Sequence, residues 1–409
     1  MKPHGPIPPG FAADDDAMLL IGGDRAEALV DAAGDTPLFV YDSAMLRARV
    51  AEWRAAMPGA VQLHYAMKAN PYAPLLAFMA RLVDGFDIAS GGELKAAIDS
   101  GMAAGHISFA GPGKRDRELE AAIAAGATLN LESAGEADRA LSIAARLGIA
   151  PRLAVRVNPD FDLKGSGMKM GGGAKPFGVD AADVPALARR LIASGADWRG
   201  FHIFAGSQAL DATAIADTQA QTVALAARLA NDVGAVPPLV NLGGGMGVPY
   251  FPGDKAVDVA AVGAALTETL ENRDAALAGS RFAMELGRWL VAEAGVYLTR
   301  IVDRKTSHGE TFLVTDGGLH HQLAASGNFG TVIRRNYPIA VANRFGIAPA
   351  ETVTVVGCLC TPLDRLGDQV ALPVAGVGDL VAIFQAGAYG ASASPAAFLG
   401  QGPAREMLV

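Results

Sequence analysis

The chain has 409 residues, 51% hydrophobic and 19% charged, a composition that excludes a disordered chain and fits a globular enzyme. Its net charge of −8 argues against nucleic acid as a main partner, and neither a run of about 18 apolar residues nor a basic-then-apolar amino terminus marks a membrane span or signal peptide. Cys358 and Cys360 are too few for a disulfide framework and fit a reducing cytoplasm; His320-His321, read as strand neighbours facing opposite ways, is the only histidine pair, so no metal site is expected.

In chain order, residues 1–16 carry four prolines and Asp14-Asp15-Asp16 and predict a loose arm. A short apolar segment, a helix from Arg25 to Ala33 and the strand Pro37-Leu38-Phe39-Val40-Tyr41 follow. From there to about residue 288, β-rich runs alternate with alanine- and leucine-rich helical stretches. Eight strands are predicted near 61–67, 84–88, 106–110, 127–131, 152–157, 198–204, 238–242 and 281–285. Helical patterns such as Gly92–Asp99, Arg115–Ala125, Ser133–Leu147 and Thr213–Val233 lie between them. Eight such units indicate an α/β fold of the TIM (β/α)8 barrel class, although a doubly wound open sheet shares the rhythm and stays in competition. Beyond residue 288 the pattern is strand-rich, at Val296–Val302, Thr311–Thr315, Val353–Val356 and Leu380–Phe384, as in a C-terminal β-sandwich or small β-barrel. The expected domains are 1–36, an arm and segment packing on the β-domain; 37–286, the barrel; and 287–409, the β-domain.

Barrel enzymes place their chemistry at the carboxyl ends of the strands, and unusual polar residues fall there. Lys68 ends the first strand, Asp87 and Ser90 the second with Glu93 beyond, and Lys114 follows the third. Asn130 and Glu132 end the fourth, Arg156 and Asn158 the fifth, His202 and Ser207 bracket the end of the sixth, and Glu285 and Arg288 follow the eighth. Ser90, Ser133 and Lys114 read equally well as helix caps or solvated loop residues. A lysine at the end of an apolar strand is expected to be desolvated, the usual way to hold an aldehyde cofactor as a Schiff base, and Lys68 is read as the carrier of pyridoxal phosphate. Gly243-Gly244-Gly245 lets backbone N–H groups approach an anion, and GxGxxG is not met because Val248 takes the last glycine position. A phosphate there fits the loops after strands seven and eight. Glu285 supplies a carboxylate for a pyridine nitrogen, and Arg288 a cation for the phosphate.

With these residues assembled, the chain resembles the fold-type III pyridoxal-phosphate decarboxylases, the diaminopimelate, ornithine and arginine decarboxylases of the alanine-racemase-like fold. The resemblance covers roughly residues 36–400. It is carried by Tyr65-Ala66-Met67-Lys68-Ala69-Asn70, Phe86 to Leu94, Arg156-Val157-Asn158-Pro159, Gly206-Ser207-Gln208, Gly243-Gly244-Gly245, Glu285-Leu286-Gly287-Arg288, Cys360 to Asp364 and Gly387-Ala388-Tyr389-Gly390. It implies that Lys68 bonds the cofactor and Glu285 meets its ring nitrogen. It also implies that Ser207, the glycine triplet, Arg288 and Tyr389 hold the phosphate, and that Asp87, Glu93 and Arg156 line the ring. Cys360 corresponds to the cysteine that such enzymes reach across a homodimer interface to return a proton to the reacting carbon, so that two subunits share each active site.

Two departures bear on the substrate. Where the family has His-x-His-x-Gly-Ser, this chain reads His202-Ile203-Phe204-Ala205-Gly206-Ser207, so Phe204 takes the place of the histidine stacked on the ring, with His202 as a partial substitute on the same strand face. Where diaminopimelate decarboxylases carry Cys-Glu-Ser, this chain reads Cys360-Thr361-Pro362, and Asp364, Asp316 or the Arg334-Arg335 pair are the remaining candidates to meet the substrate's far end. Together with the glycine-rich loop Asp160 to Gly178, this resembles a subset acting on carrier-protein-tethered amino acids or accompanying exosortase systems. The expectation is a decarboxylase of an amino acid's α-carboxylate with altered side-chain specificity. A genuine meso-diaminopimelate decarboxylase is the alternative, and an alanine racemase or a cofactor-free regulatory homologue are further ones.

Overall fold

The computed structural model describes residues 1–409 except Ser166, Met170 and 328–334. The chain forms two compact units, one of residues 49–247 and 256–287, the other of 1–48, 248–255 and 288–409.

The first unit is a closed parallel barrel of β1 (Val61–Ala66), β2 (Gly85–Ile88), β3 (Ile107–Phe109), β4 (Thr128–Leu131), β5 (Arg152–Asn158), β6 (Asp197–Ile203), β7 (Leu239–Asn241) and β8 (Arg281–Leu286). Pairing of β8 with β1 and of β4 with β5 leaves no edge, which rules out the open doubly wound sheet. Period-two alternation sorts the side chains. In β1, Val61, Leu63 and Tyr65 are buried on one face, Tyr65 meeting Phe86 edge-on at 5.8 Å, while Gln62, His64 and Ala66 line cavities inside the barrel. Two helices at the rim start on a local signal. Ser90 caps Gly91–Asp99 by accepting from the Glu93 N–H, and Ser133 caps Ala134–Leu147 by accepting from Glu136. Both serines are thus helix caps.

In the second unit, the strand Leu38–Tyr41 pairs antiparallel with Gly295–Ser307 and parallel with Arg405–Leu408, so it belongs to the β-sheet rather than to the barrel, where a boundary at 37 placed it. The reason is burial on both faces. Leu38 and Val40 join a core with Val296, Leu298 and Leu380, and Phe39 packs 4.8 Å from Tyr297. That core also takes up Phe11, Leu19, Ile21 and Leu29. The amino-terminal arm is accordingly tied down rather than loose: the Lys2 N–H donates to Gln369 O at 2.8 Å and the Lys2 ammonium meets Asp368. His320 and His321 lie in a turn, not a strand, and their rings sit 3.8 Å apart instead of facing opposite ways. His321 is committed to the Tyr297 hydroxyl and Gly402 O, both at 3.0 Å. Among the described residues no helix is long and apolar enough to cross a membrane.

Candidate active site

The carboxyl ends of the barrel strands surround a cavity of about 280 Å³, lined by Lys68, Asp87, Arg156, His202, Phe204 and Glu285. Lys68 sits in a single turn of 3₁₀ helix, Met67–Ala69, that ends β1. Its side chain is exposed, which corrects the expectation of a desolvated lysine: the turn lifts it off the strand into the mouth of the barrel. Lys114 lines the same cavity but is buried, donating to Gly111 O at 2.8 Å, Asn130 O at 2.9 Å and Glu136 Oε1 at 2.7 Å.

Glu285 is the electrostatic centre. Burial alone would raise its carboxyl, but His202, Lys68 and Arg156 together hold it down to about 2. Its Oε2 accepts from His202 Nε2 at 2.8 Å and Asn241 Nδ2 at 3.2 Å, leaving Oε1 for another donor. His202 is therefore bound to Glu285, and Phe204, two residues on, lines the same cavity. Asp87 is buried with neither oxygen hydrogen-bonded, and burial, then the charge of Glu285, push its carboxyl up. Beneath it His64 Nδ1 lies 3.5 Å from Asp87 Oδ2, an ionic contact too long for a good hydrogen bond. Burial alone would lower His64; Asp87 and Glu285 raise it.

Arg156 is clamped by Glu132 at 2.8 Å, and Glu132 also accepts from the N–H groups of Gly111 and Gly178. Glu93 accepts from the Ala89 N–H next to Ser90; burial raises its carboxyl, against the Ala89 N–H and the charge of Lys68. Gly243 and Gly245 adopt φ of +69° and +105°, and a Cβ on Gly244 would stand 1.9 Å from Glu285 O. Asn241 fixes the triplet by accepting from the Gly243 N–H at 2.9 Å. Ser207 pairs across the short Gly206–Ser207 ladder with Met168. His64 and Asn241 were not among the expected site residues, and Glu132 was expected only as a polar residue at the end of the fourth strand. Their signal was the inward alternation of the strands, which puts His64 four positions before Lys68 and Asn241 two before Gly243.

In the other unit, Arg288 donates to the Tyr250 hydroxyl at 2.8 Å and stacks 4.7 Å from the Tyr389 ring, and its Nε is buried with no partner. Tyr389 adopts φ of +57°, a strained conformation for a tyrosine. Cys360 is exposed and Thr361 half-buried. The Asp364 carboxylate is buried, accepting from the Leu319 N–H at 2.7 Å and the Leu359 N–H at 2.9 Å. Asp316 accepts from Thr299 Oγ1 at 2.6 Å and from the Arg300 N–H at 2.9 Å. Both carboxylates thus have partners of their own. Arg334 lies outside the described residues, and Arg335 stacks on Phe251 at 3.7 Å.

The residues present fit pyridoxal phosphate. An ionised Glu285 with one open oxygen suits a protonated ring nitrogen, and Phe204 suits a ring face. The glycine triplet suits a phosphate, since among the described residues no backbone hydrogen bond engages the N–H groups of Gly244 or Gly245.

Comparison with known proteins agrees. Residues 43–292 match the family described as pyridoxal-dependent decarboxylase, pyridoxal binding domain. The chain is 36% identical over 380 residues to an L-glutamyl-[BtrI acyl-carrier protein] decarboxylase of Niallia circulans, covering 91% of this chain and 89% of that one. It is 30% identical over 395 residues to a diaminopimelate decarboxylase of Methanothermobacter thermautotrophicus, covering 94% and 89%. Diaminopimelate decarboxylase from M. jannaschii, in co-complex with L-lysine, superposes with a TM-score of 0.86 at 26% identity, covering 98% and 92%. The chain belongs to the pyridoxal-dependent decarboxylases, as a carboxy-lyase of the diaminopimelate-decarboxylase-like group with the fold-type III barrel.

Proposed function

We propose that this enzyme removes the α-carboxylate of an amino acid whose far end carries no free ammonium, the favoured case being a glutamyl group tethered to a carrier protein. The observation that carries this is the inward turn of Asp364. With threonine at 361 and Asp364 accepting from two backbone N–H groups, the Cys360–Asp364 segment has no spare carboxylate for a distal ammonium. Losing one partner of a desolvated charge pair costs roughly 3–5 kcal/mol, a few hundred-fold and upward in affinity. The likeness to a decarboxylase of a carrier-bound glutamyl group supports the same reading. The alternative, a genuine diaminopimelate decarboxylase, rests on the several relatives of that name at about 30% identity.

When bound, the cofactor supplies a ring that accepts the electrons of the cleaved carbon–carbon bond. In this reading Lys68 Nζ is the point of attachment, and Glu285 holds a proton at the ring nitrogen while His202 and Asn241 fix its orientation. Phe204 would meet the ring face, and the Glu132–Arg156 pair is a rigid wall. Ser207, the glycine triplet, Arg288 and Tyr389 would be the residues to hold the phosphate. Cys360, offered to the partner subunit of a homodimer, returns a proton to the carbon that lost carbon dioxide.

The test of substrate is carbon dioxide release from diaminopimelate, ornithine, arginine and lysine, against glutamate both free and thioester-linked to a carrier protein. The carrier-linked glutamyl group is expected to be turned over best. Diaminopimelate turnover at a kcat/KM of about 10⁴ M⁻¹s⁻¹ or more is ordinary enzyme performance and would overturn the proposal. The shared site has its own test. Mixed Lys68→Ala and Cys360→Ala proteins should regain activity that neither has alone, because one hybrid site keeps both residues. No recovery after verified subunit exchange counts against sharing.

A further inference from the structure

The interior of a TIM barrel is ordinarily filled by layers of bulky branched side chains. At the amino-terminal end of this barrel, away from Lys68, the inward positions instead include Gln62, Ser108, Asn130, Ala154 and Asn241, and a cavity of about 290 Å³ remains open. That is close to the lower end of the size range of small-molecule sites. The polar residues are ordered, with Asn130 Nδ2 donating to Ser108 Oγ at 2.7 Å.

Three arginines line this cavity: Arg152 and Arg281 open β5 and β8, and Arg199 stands near the start of β6. Their negative partners are few. Asp197 stands 4.0 Å from Arg152 Nε and 3.5 Å from Arg199 Nη1, contacts longer than direct charge-assisted hydrogen bonds. Asp84 also lines the cavity, but it is engaged by Arg54 Nη1 and the Leu63 N–H, each at 2.7 Å. Among the described residues Arg281 has no ion pair, and Arg152 Nε is buried with no hydrogen-bond partner, although Nη2 donates to Gly105 O at 3.0 Å. Burial, and then the like charge of Arg199 with Arg281 adding to it, lower the Arg152 guanidinium from its usual value. Cations gathered at a polar opening with too few anions match the fork geometry by which guanidinium groups grip oxyanions.

We infer that this cavity binds a small dianion, a phosphate monoester or a dicarboxylate, held by Arg152, Arg199 and Arg281 at the end of the barrel opposite the cofactor. The site is separate from the reaction described above and does not depend on which amino acid is decarboxylated.

The experiment is isothermal titration of the holoenzyme, whose own phosphate site is already filled, with inorganic phosphate and with succinate at constant ionic strength. Saturable binding of one probe per chain is expected, in the range of about 1 mM or tighter. Preference for phosphate assigns the monoester class, and preference for succinate the dicarboxylate class. Arg199→Gln with Arg281→Gln should weaken binding at least about tenfold, with the visible absorbance of bound cofactor unchanged as the check on folding. If the double variant fails that check, Arg281→Gln alone, at an exposed position, carries the comparison. Absence of saturable binding of either probe, or equal binding by the variants, overturns the inference.

Discussion

Lys68→Ala protein loses covalent attachment of pyridoxal phosphate by borohydride reduction and falls in decarboxylation by about 10⁴-fold or more, the scale seen when a covalent catalyst is deleted. Two lysines line the cavity, and their surroundings choose between them. Lys114 is almost fully buried and holds three acceptors, two of them backbone carbonyls, so moving it would leave Glu136 unpaired in a low dielectric. Lys68 stands exposed on a turn at the strand end, where an aldehyde can reach it. The measurement is mass spectrometry of borohydride-treated wild type and variant. A variant that still carries cofactor on a lysine would sink the assignment.

Glu285→Gln is expected to lower kcat by about 10²–10³, the usual cost of removing one preorganised electrostatic contact to the reacting group. Glutamine keeps the shape but not the charge that His202, Lys68 and Arg156 hold in its ionised form at about 2. The pH dependence follows from the sign of that shift. A carboxyl held below its ordinary value of 4.5 stabilises the fold above that value and loses the contribution as pH falls towards about 2. Acid denaturation of the wild type should therefore carry a proton-uptake component in this range that the Gln variant lacks. Removing the charge also relieves Asp87, whose carboxyl burial and Glu285 push up. A kcat within about threefold of wild type would show that the ring nitrogen does not depend on this carboxylate.

The barrel was legible because strand ends and chemistry coincide in it. Polar residues interrupt apolar runs at the carboxyl end of strand after strand, and the same interruption places Lys68, Asp87, Arg156, His202 and Glu285 around one cavity. What escaped the sequence depends on partners distant along the chain. Asp364 looks like a spare carboxylate until Gly318 and Gly357 pack on it so tightly that a Cβ on either would stand 2.2–2.3 Å from its oxygens. Leu38–Tyr41 looks like the opening strand of the barrel because its pairing partners lie hundreds of residues ahead. Glu93 is the opposite case. Ser90-Gly91-Gly92-Glu93 has the spacing of a helix cap, a local signal that sets the start of Gly91–Asp99 through the Glu93 N–H to Ser90 Oγ bond.

The pairing of Leu38–Tyr41 with Arg405–Leu408 also sets a timetable for synthesis. Four residues that end fully buried leave the ribosome about 370 residues before the strand that completes their sheet, roughly 20–70 s at elongation rates of about 5–20 residues per second. Until Gly295–Ser307 emerges, Leu38, Phe39, Val40 and Tyr41 form an unpaired apolar edge while the barrel behind them is still being made, and their other side stays open until Arg405–Leu408 follows. The amino-terminal segment of the nascent chain is thus the stretch most in need of a holding chaperone, and slowing translation lengthens its exposure.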